Sequence, residues 1–126
     1  MSRDDRAITD AEWDLLEALW RLERATARDL AEELEGERGW ARSTVKTMLD
    51  RMADKGLVSM RAVGNVHEYE PAVKPDDARR SAWRRFVDAA FGGAMEPALR
   101  FLAEDAKLTK AQRSQLRRLL KEGRDD

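Results

Sequence analysis

The stretch Ala41-Arg42-Ser43-Thr44-Val45-Lys46-Thr47-Met48-Leu49-Asp50-Arg51-Met52-Ala53-Asp54-Lys55-Gly56, followed by Leu57-Val58-Ser59-Met60-Arg61-Ala62-Val63-Gly64-Asn65-Val66-His67-Glu68-Tyr69-Glu70-Pro71, decides the fold. Its first half has helical spacing: Val45, Met48, Leu49 and Met52 form one apolar stripe, and Gly56 suits the position just past a helix end. The helix start is open between Ser43, the best local capping side chain, and Ala41. Its second half changes period. Two short β-compatible runs flank Val63-Gly64-Asn65, and Gly and Asn tolerate the positive φ that a tight hairpin needs.

Working toward the N-terminus, Thr9-Asp10-Ala11-Glu12 has the form of a capping box, with Thr9 and Glu12 serving each other's orphan amides. Behind it Trp13, Leu16, Leu19 and Trp20 recur at helical spacing, which predicts a helix to about Leu22. Thr26 with Asp29 marks a second start, and Leu30 and Leu34 a short helix ending near Gly36. Three short helices followed by a hairpin is the order of a winged helix-turn-helix. Pro71 and Pro75 close that unit, so residues 1–73 are expected to form one domain and 74–126 a helical region.

In that second region Trp83, Phe86, Val87, Ala90 and Phe91 lie at i, i+3, i+4, i+7 and i+8, a complete apolar helix face. Gly92-Gly93 ends it. Pro97 suits the first turn of a helix carrying Leu99, Leu102 and Phe101. Thr109 with Gln112 forms another capping box ahead of Leu116, Leu119 and Leu120. The expected class is therefore mainly α with a small β-hairpin. About fifty residues of amphipathic helix enclose too little core to stand alone. Their apolar faces meet either a symmetry mate or the chain's own head; the first reading makes this a dimerisation region.

Net charge by itself does not favour a nucleic-acid partner, but charge is segregated along the chain. The 126 residues carry a net charge of −1, but residues 10–37 carry −7, while 38–73 carry +2 and 74–126 carry +4. Local sign governs attraction to phosphate more than the average does. In a helix-turn-helix the second helix enters the major groove. Opposite the apolar stripe, this helix presents Ser43, Lys46, Thr47 and Asp50, with Thr44 and Arg51 on its flank. Arg42 sits near its start, and Arg61 and His67 flank the hairpin tip. Lys and Arg reach phosphate or guanine, and Ser and Thr suit phosphate or mixed base contacts. The same surface could be no more than a solvated face, and some winged helices bind only protein. Arg79, Arg80, Arg84 and Arg85 raise the same choice between a second DNA contact and a solvated face.

Other classes are narrowed by what the sequence lacks. With no cysteine there is no disulfide framework, thiolate metal site or cysteine nucleophile, and a single histidine does not make a metal site. No phosphate loop or paired catalytic carboxylates occur. The chain is expected to be non-enzymatic, without metal or cofactor. The first six residues have no apolar core for a signal peptide, and no apolar run spans a membrane, so a cytoplasmic protein is expected.

Ile8-Thr9-Asp10-Ala11-Glu12-Trp13 with Leu19-Trp20, then Gly39-Trp40-Ala41-Arg42-Ser43-Thr44-Val45-Lys46-Thr47-Met48-Leu49-Asp50-Arg51-Met52 and Lys55-Gly56-Leu57-Val58, resembles the penicillinase-repressor family of BlaI/MecI/CopY-type regulators. The likeness runs on through Tyr69 and Pro71 to Phe91-Gly92-Gly93 and the last helix. It implies a homodimeric repressor on a palindromic double-stranded operator, with Trp40, Arg42, Ser43, Thr44, Lys46, Thr47 and Arg51 at the DNA. For Trp40 the alternative is packing of the turn ahead of the recognition helix. In the penicillinase branch a membrane sensor peptidase triggers cleavage of an Asn-Phe bond. Arg100-Phe101 stands in that place, with Arg where that site has Asn. The copper branch's C-terminal cysteine motif is missing, which excludes its metal mechanism.

Overall fold

The computed structural model describes residues 7–104, 107–114 and 118. Leu116, Leu119 and Leu120 lie outside the described residues. The order is α1 (Asp10–Leu22), β1 (Ala25–Thr26), α2 (Ala27–Glu33), α3 (Arg42–Asp54), β2 (Val58–Val63), β3 (Val66–Pro71), α4 (Pro75–Phe91) and α5 (Met95–Glu104). The chain divides into two compact units, Met1–Ala82 and Trp83–Asp126.

Local chemistry sets the helix starts of the first unit. The Thr9 hydroxyl accepts from the Glu12 amide at 3.1 Å, and the Glu12 carboxylate accepts from the Thr9 amide at 3.0 Å. Thr26 and Asp29 repeat the arrangement at the start of α2, at 3.0 Å in both directions. Helix α3 is different. Its N-cap is Ala41, without a side-chain cap bond, and Ser43 lies inside the first turn, so Ser43 keeps its hydroxyl on the surface. At the other end the Gly56 amide donates to the Ala53 carbonyl and the Leu57 amide to Met52. This is a Schellman closure, and Gly56 takes the left-handed conformation it requires, at φ 80°.

The sheet is three-stranded and antiparallel, in the order β1-β3-β2. The hairpin closes with Val63 opposite Val66 around Gly64-Asn65, Gly64 at φ 64°. The two-residue strand β1 is not legible in the sequence pattern. It forms because Ala25 and Thr26, entering α2, pair with Tyr69 and Glu68. A β1 residue is thus also the N-cap of α2, which ties the wing to the helix-turn-helix.

One core holds this unit: Leu15, Leu16 and Leu19 of α1, Leu30 and Leu34 around α2, Val45, Leu49 and Met52 of α3, and Tyr69 of β3. Each large side chain removed from water there contributes about 1.5–3 kcal/mol of transfer free energy. Met48 is half-buried at the edge of the stripe. Trp20 packs on the rim and its indole N–H donates to the Val73 carbonyl at 3.0 Å.

Pro75 opens α4 rather than closing the unit before it, a role its fixed φ allows in a first turn. In the second unit α5 starts two residues before Pro97, which still falls within the first turn. Val87 and Ala98 are buried; Trp83, Phe91, Leu99 and Leu102 are half-buried; Ala90 is exposed. Aromatic rings run in a chain from Trp83 to Phe86, Phe91 and Phe101, with centroids 5.8 to 6.2 Å apart. Phe86 and Phe101 remain half exposed, at 51% each. Thr109 and Gln112 form the expected capping box.

Candidate nucleic-acid interface

Once Val45, Leu49 and Met52 face the core, the helical period turns a polar strip outward. Arg42, Ser43, Thr44, Lys46, Thr47, Asp50 and Arg51 are all exposed on α3. Among the described residues Arg42 and Arg51 have no ion pair, leaving two guanidinium groups on the flanks of the strip for an external acceptor. The Thr47 hydroxyl donates back to the Ser43 carbonyl at 3.0 Å.

The centre of the strip is organised around Asp50, which joins Lys46 of the same helix to Tyr69 of the wing, a contact that no local pattern marks. The Lys46 ammonium pairs with one Asp50 oxygen at 2.8 Å, and the buried Tyr69 hydroxyl donates to the other at 2.8 Å. These contacts hold the Asp50 carboxyl below its ordinary range. The Lys46 hydrogen bond is the largest cause, burial opposes it, and the Tyr69 bond and the charges of Lys46 and His67 add to it. Burial, reinforced by Asp50, pushes the Tyr69 phenol well above its usual value. The i,i+4 spacing of Lys46 and Asp50 was the available signal for the first pair. The Tyr69 partner comes from another element, with no local signal.

An open groove of about 440 Å³ separates the helix from the wing, lined by Thr26, Arg28, Arg42, Lys46, His67 and Tyr69 among others. His67 is half-buried on its wall, and its Nδ1 is buried with no hydrogen-bond partner. Arg61, by contrast, is exposed on β2 and pairs across the hairpin with Glu68 at 3.1 Å. The apolar side chains Met60, Val63 and Val66 are exposed around it.

Trp40 is half-buried against the core, just before α3. The Arg38 guanidinium lies over its ring, 5.0 Å from the centroid, and bonds to Asp14 of α1 at 2.6 Å. That cation–π contact and ion pair fix the turn feeding α3. Arg79 and Arg80 are exposed and pair with Asp76 and Asp77 on their own helix. Arg100 pairs with Glu96, and Phe101 beside it is exposed. Among the described residues no group of His, Cys, Asp or Glu could hold a metal ion, and no helix is long and apolar enough to cross a membrane.

The chain is 23% identical over 113 residues to the methicillin resistance regulatory protein MecI of Mammaliicoccus sciuri, covering 90% of this chain and 92% of that one. It is 24% identical over 115 residues to the penicillinase repressor of Bacillus licheniformis, covering 91% and 90%. The solution structure of the DNA-binding domain of the repressor BlaI superposes with a TM-score of 0.52 at 27% identity, over 61% of this chain and 93% of that domain. The family model for the penicillinase repressor matches residues 8–122. The chain therefore belongs to the penicillinase repressor family.

Proposed function

We propose that this protein represses transcription as a homodimer, with two copies of α3 and its wing reading the halves of a palindromic operator. As a member of the penicillinase repressor family it is a DNA-binding transcriptional repressor. The observation that carries the finer reading is the outward strip of α3. It joins free Arg42 and Arg51 guanidinium groups to Ser43, Thr44, Lys46 and Thr47 on a head with the fold of a repressor's DNA-binding domain. Such a strip suits phosphate and base-edge contacts, with Arg61 and His67 supporting it from the wing. Trp40, clamped by Arg38, would set the angle of α3 rather than touch bases.

The half-exposed aromatic chain from Trp83 to Phe101 is the surface for the second copy, with Ala90, Leu99 and Leu102 alongside it and the buried Val87 beneath. Two linked heads bind more tightly than one through effective concentration. The chain acts as a cytoplasmic regulator, without catalysis or cofactor of its own. Release by a membrane sensor peptidase or its product belongs to the same proposal. Cleavage at Arg100-Phe101 would require α5 to unwind there, since both residues are helical.

A duplex containing the promoter of its own gene tests the reading by electrophoretic shift. Salt-sensitive retardation at micromolar protein supports it, and no shift at any salt concentration refutes it.

A further inference from the structure

Asp50 is a carboxylate in the middle of a surface that must approach phosphate. On α3 it falls between Lys46 and Ser43 on the outward face, and it is exposed. An unrestrained negative charge there weakens attraction to every duplex. Its two oxygens are held unequally. The Tyr69 hydroxyl is carried by a ring that is fully buried in the core, so this donor cannot turn to solvent. The Lys46 ammonium is carried by a side chain that is 47% exposed, and surface pairs of this kind are among the weakest ionic contacts. Asp50 therefore stays with Tyr69, and Lys46 is the partner able to leave.

We propose that Asp50, pinned by Tyr69, is a specificity-determining residue of the recognition helix: it restrains Lys46 and favours duplex that offers it an amine donor. The proposal rests on the DNA-binding reading above. In the major groove only cytosine N4 and adenine N6 present amine donors, while guanine and thymine present acceptors at the corresponding edge. Where an amine stands opposite, the Asp50 oxygen that faced Lys46 exchanges the ammonium for the base. Lys46 is then free to reach phosphate or guanine. Where no amine stands opposite, one of two losses follows. Either Lys46 remains on Asp50 and a cationic contact is missing, or Lys46 leaves and the carboxylate faces the acceptors of a guanine or thymine, with the amine of that pair on the opposite strand. The pair thus discriminates mainly by weakening the wrong complexes.

The test starts with the full-length wild type selecting duplexes from a randomised pool. Fluorescence anisotropy then gives affinities for the selected duplex and for a scrambled duplex of equal length across a salt series. Three variants are compared with wild type: Asp50→Asn, Asp50→Asn with Lys46→Gln, and Tyr69→Phe. Asp50→Asn should bind the scrambled duplex about tenfold more tightly, with a salt slope steeper by about 0.9 as Lys46 takes a phosphate. Reselection with this variant should relax a cytosine or adenine preference at one position of each half-site. Adding Lys46→Gln should cancel the gain, which a purely structural role for Asp50 would not predict. Tyr69→Phe, checked for its fold by circular dichroism, should lose preference at the same position; it serves as the deciding variant if Asp50→Asn does not fold. An unchanged ratio between duplexes in the folded variant, or an equal weakening on both, overturns the proposal while leaving the DNA-binding reading intact. Failure of the wild type to enrich any sequence overturns both.

Discussion

The ammonium of Lys55, at the C-cap of α3, lies 2.7 Å from the carboxylate of Glu12 in the first turn of α1. The pair is largely buried, with side-chain exposures of 16% and 9%. The same Glu12 oxygen caps the Thr9 amide, and Lys55 also donates to the Ala7 carbonyl at 2.8 Å. One cluster therefore fixes the start of α1 and the end of the helix that faces the groove.

Breaking that pair from the lysine side leaves a buried anion without its cation. Lys55→Met is expected to lower unfolding free energy by about 3 kcal/mol. Glu12→Gln keeps an oxygen for Thr9 and Lys55 and should cost less, about 1 kcal/mol, in line with a net hydrogen-bond contribution. Urea denaturation of both variants at neutral pH measures the difference. Equal small losses would show that the contact contributes little despite its burial.

Tyr69 is the only tyrosine, so tyrosinate absorbance reports on it alone. Its raised folded-state value means that the stability from keeping it neutral is whole below pH 10 and is lost as pH rises beyond that point. The native protein should show no tyrosinate at pH 10, where the free phenol is half ionised, and ionisation should accompany unfolding above it. Tyr69→Phe should lack this part of the alkaline loss. Half-ionisation near pH 10 with native circular dichroism would contradict the buried Tyr69–Asp50 bond. Asp50 acts at the opposite limb: its lowered value gives stability that is present above pH 3.8 and is lost as pH falls further.

What could be read from sequence was what neighbours in sequence enforce. The Thr9–Glu12, Thr26–Asp29 and Thr109–Gln112 boxes and the Gly56 closure are each complete within a few residues, and they stand where residue type and spacing place them. The hairpin followed equally from Gly64-Asn65. Strand β1 did not, because two residues carry no period and pair only with a segment more than forty positions away. The outward strip of α3 was visible from its apolar stripe, but not its internal wiring. Asp50 owes its place to Tyr69, and α3 owes its seating to Glu12; both contacts cross between elements.

The aromatic face of the second unit makes a separate prediction. Phe86 and Phe101 are each half exposed, and in the proposed dimer this face meets the second copy. Light scattering of the wild type should give a mass near twice 14.4 kDa. Phe86→Asp with Phe91→Asp should move it toward 14.4 kDa without loss of helical signal from the head. A wild-type monomer at working concentration would count against dimerisation.

The salt dependence of binding tests most directly whether α3 and the wing read DNA. Affinity of the full-length protein for its promoter duplex, plotted against salt on logarithmic axes, should fall along a line whose slope is about −0.9 for each phosphate neutralised. Lys46→Ala with Arg51→Ala should weaken binding and flatten that slope by up to about 1.8 if both reach phosphate. A slope near zero for the wild type, or an unchanged affinity and slope in the double variant, would contradict the account.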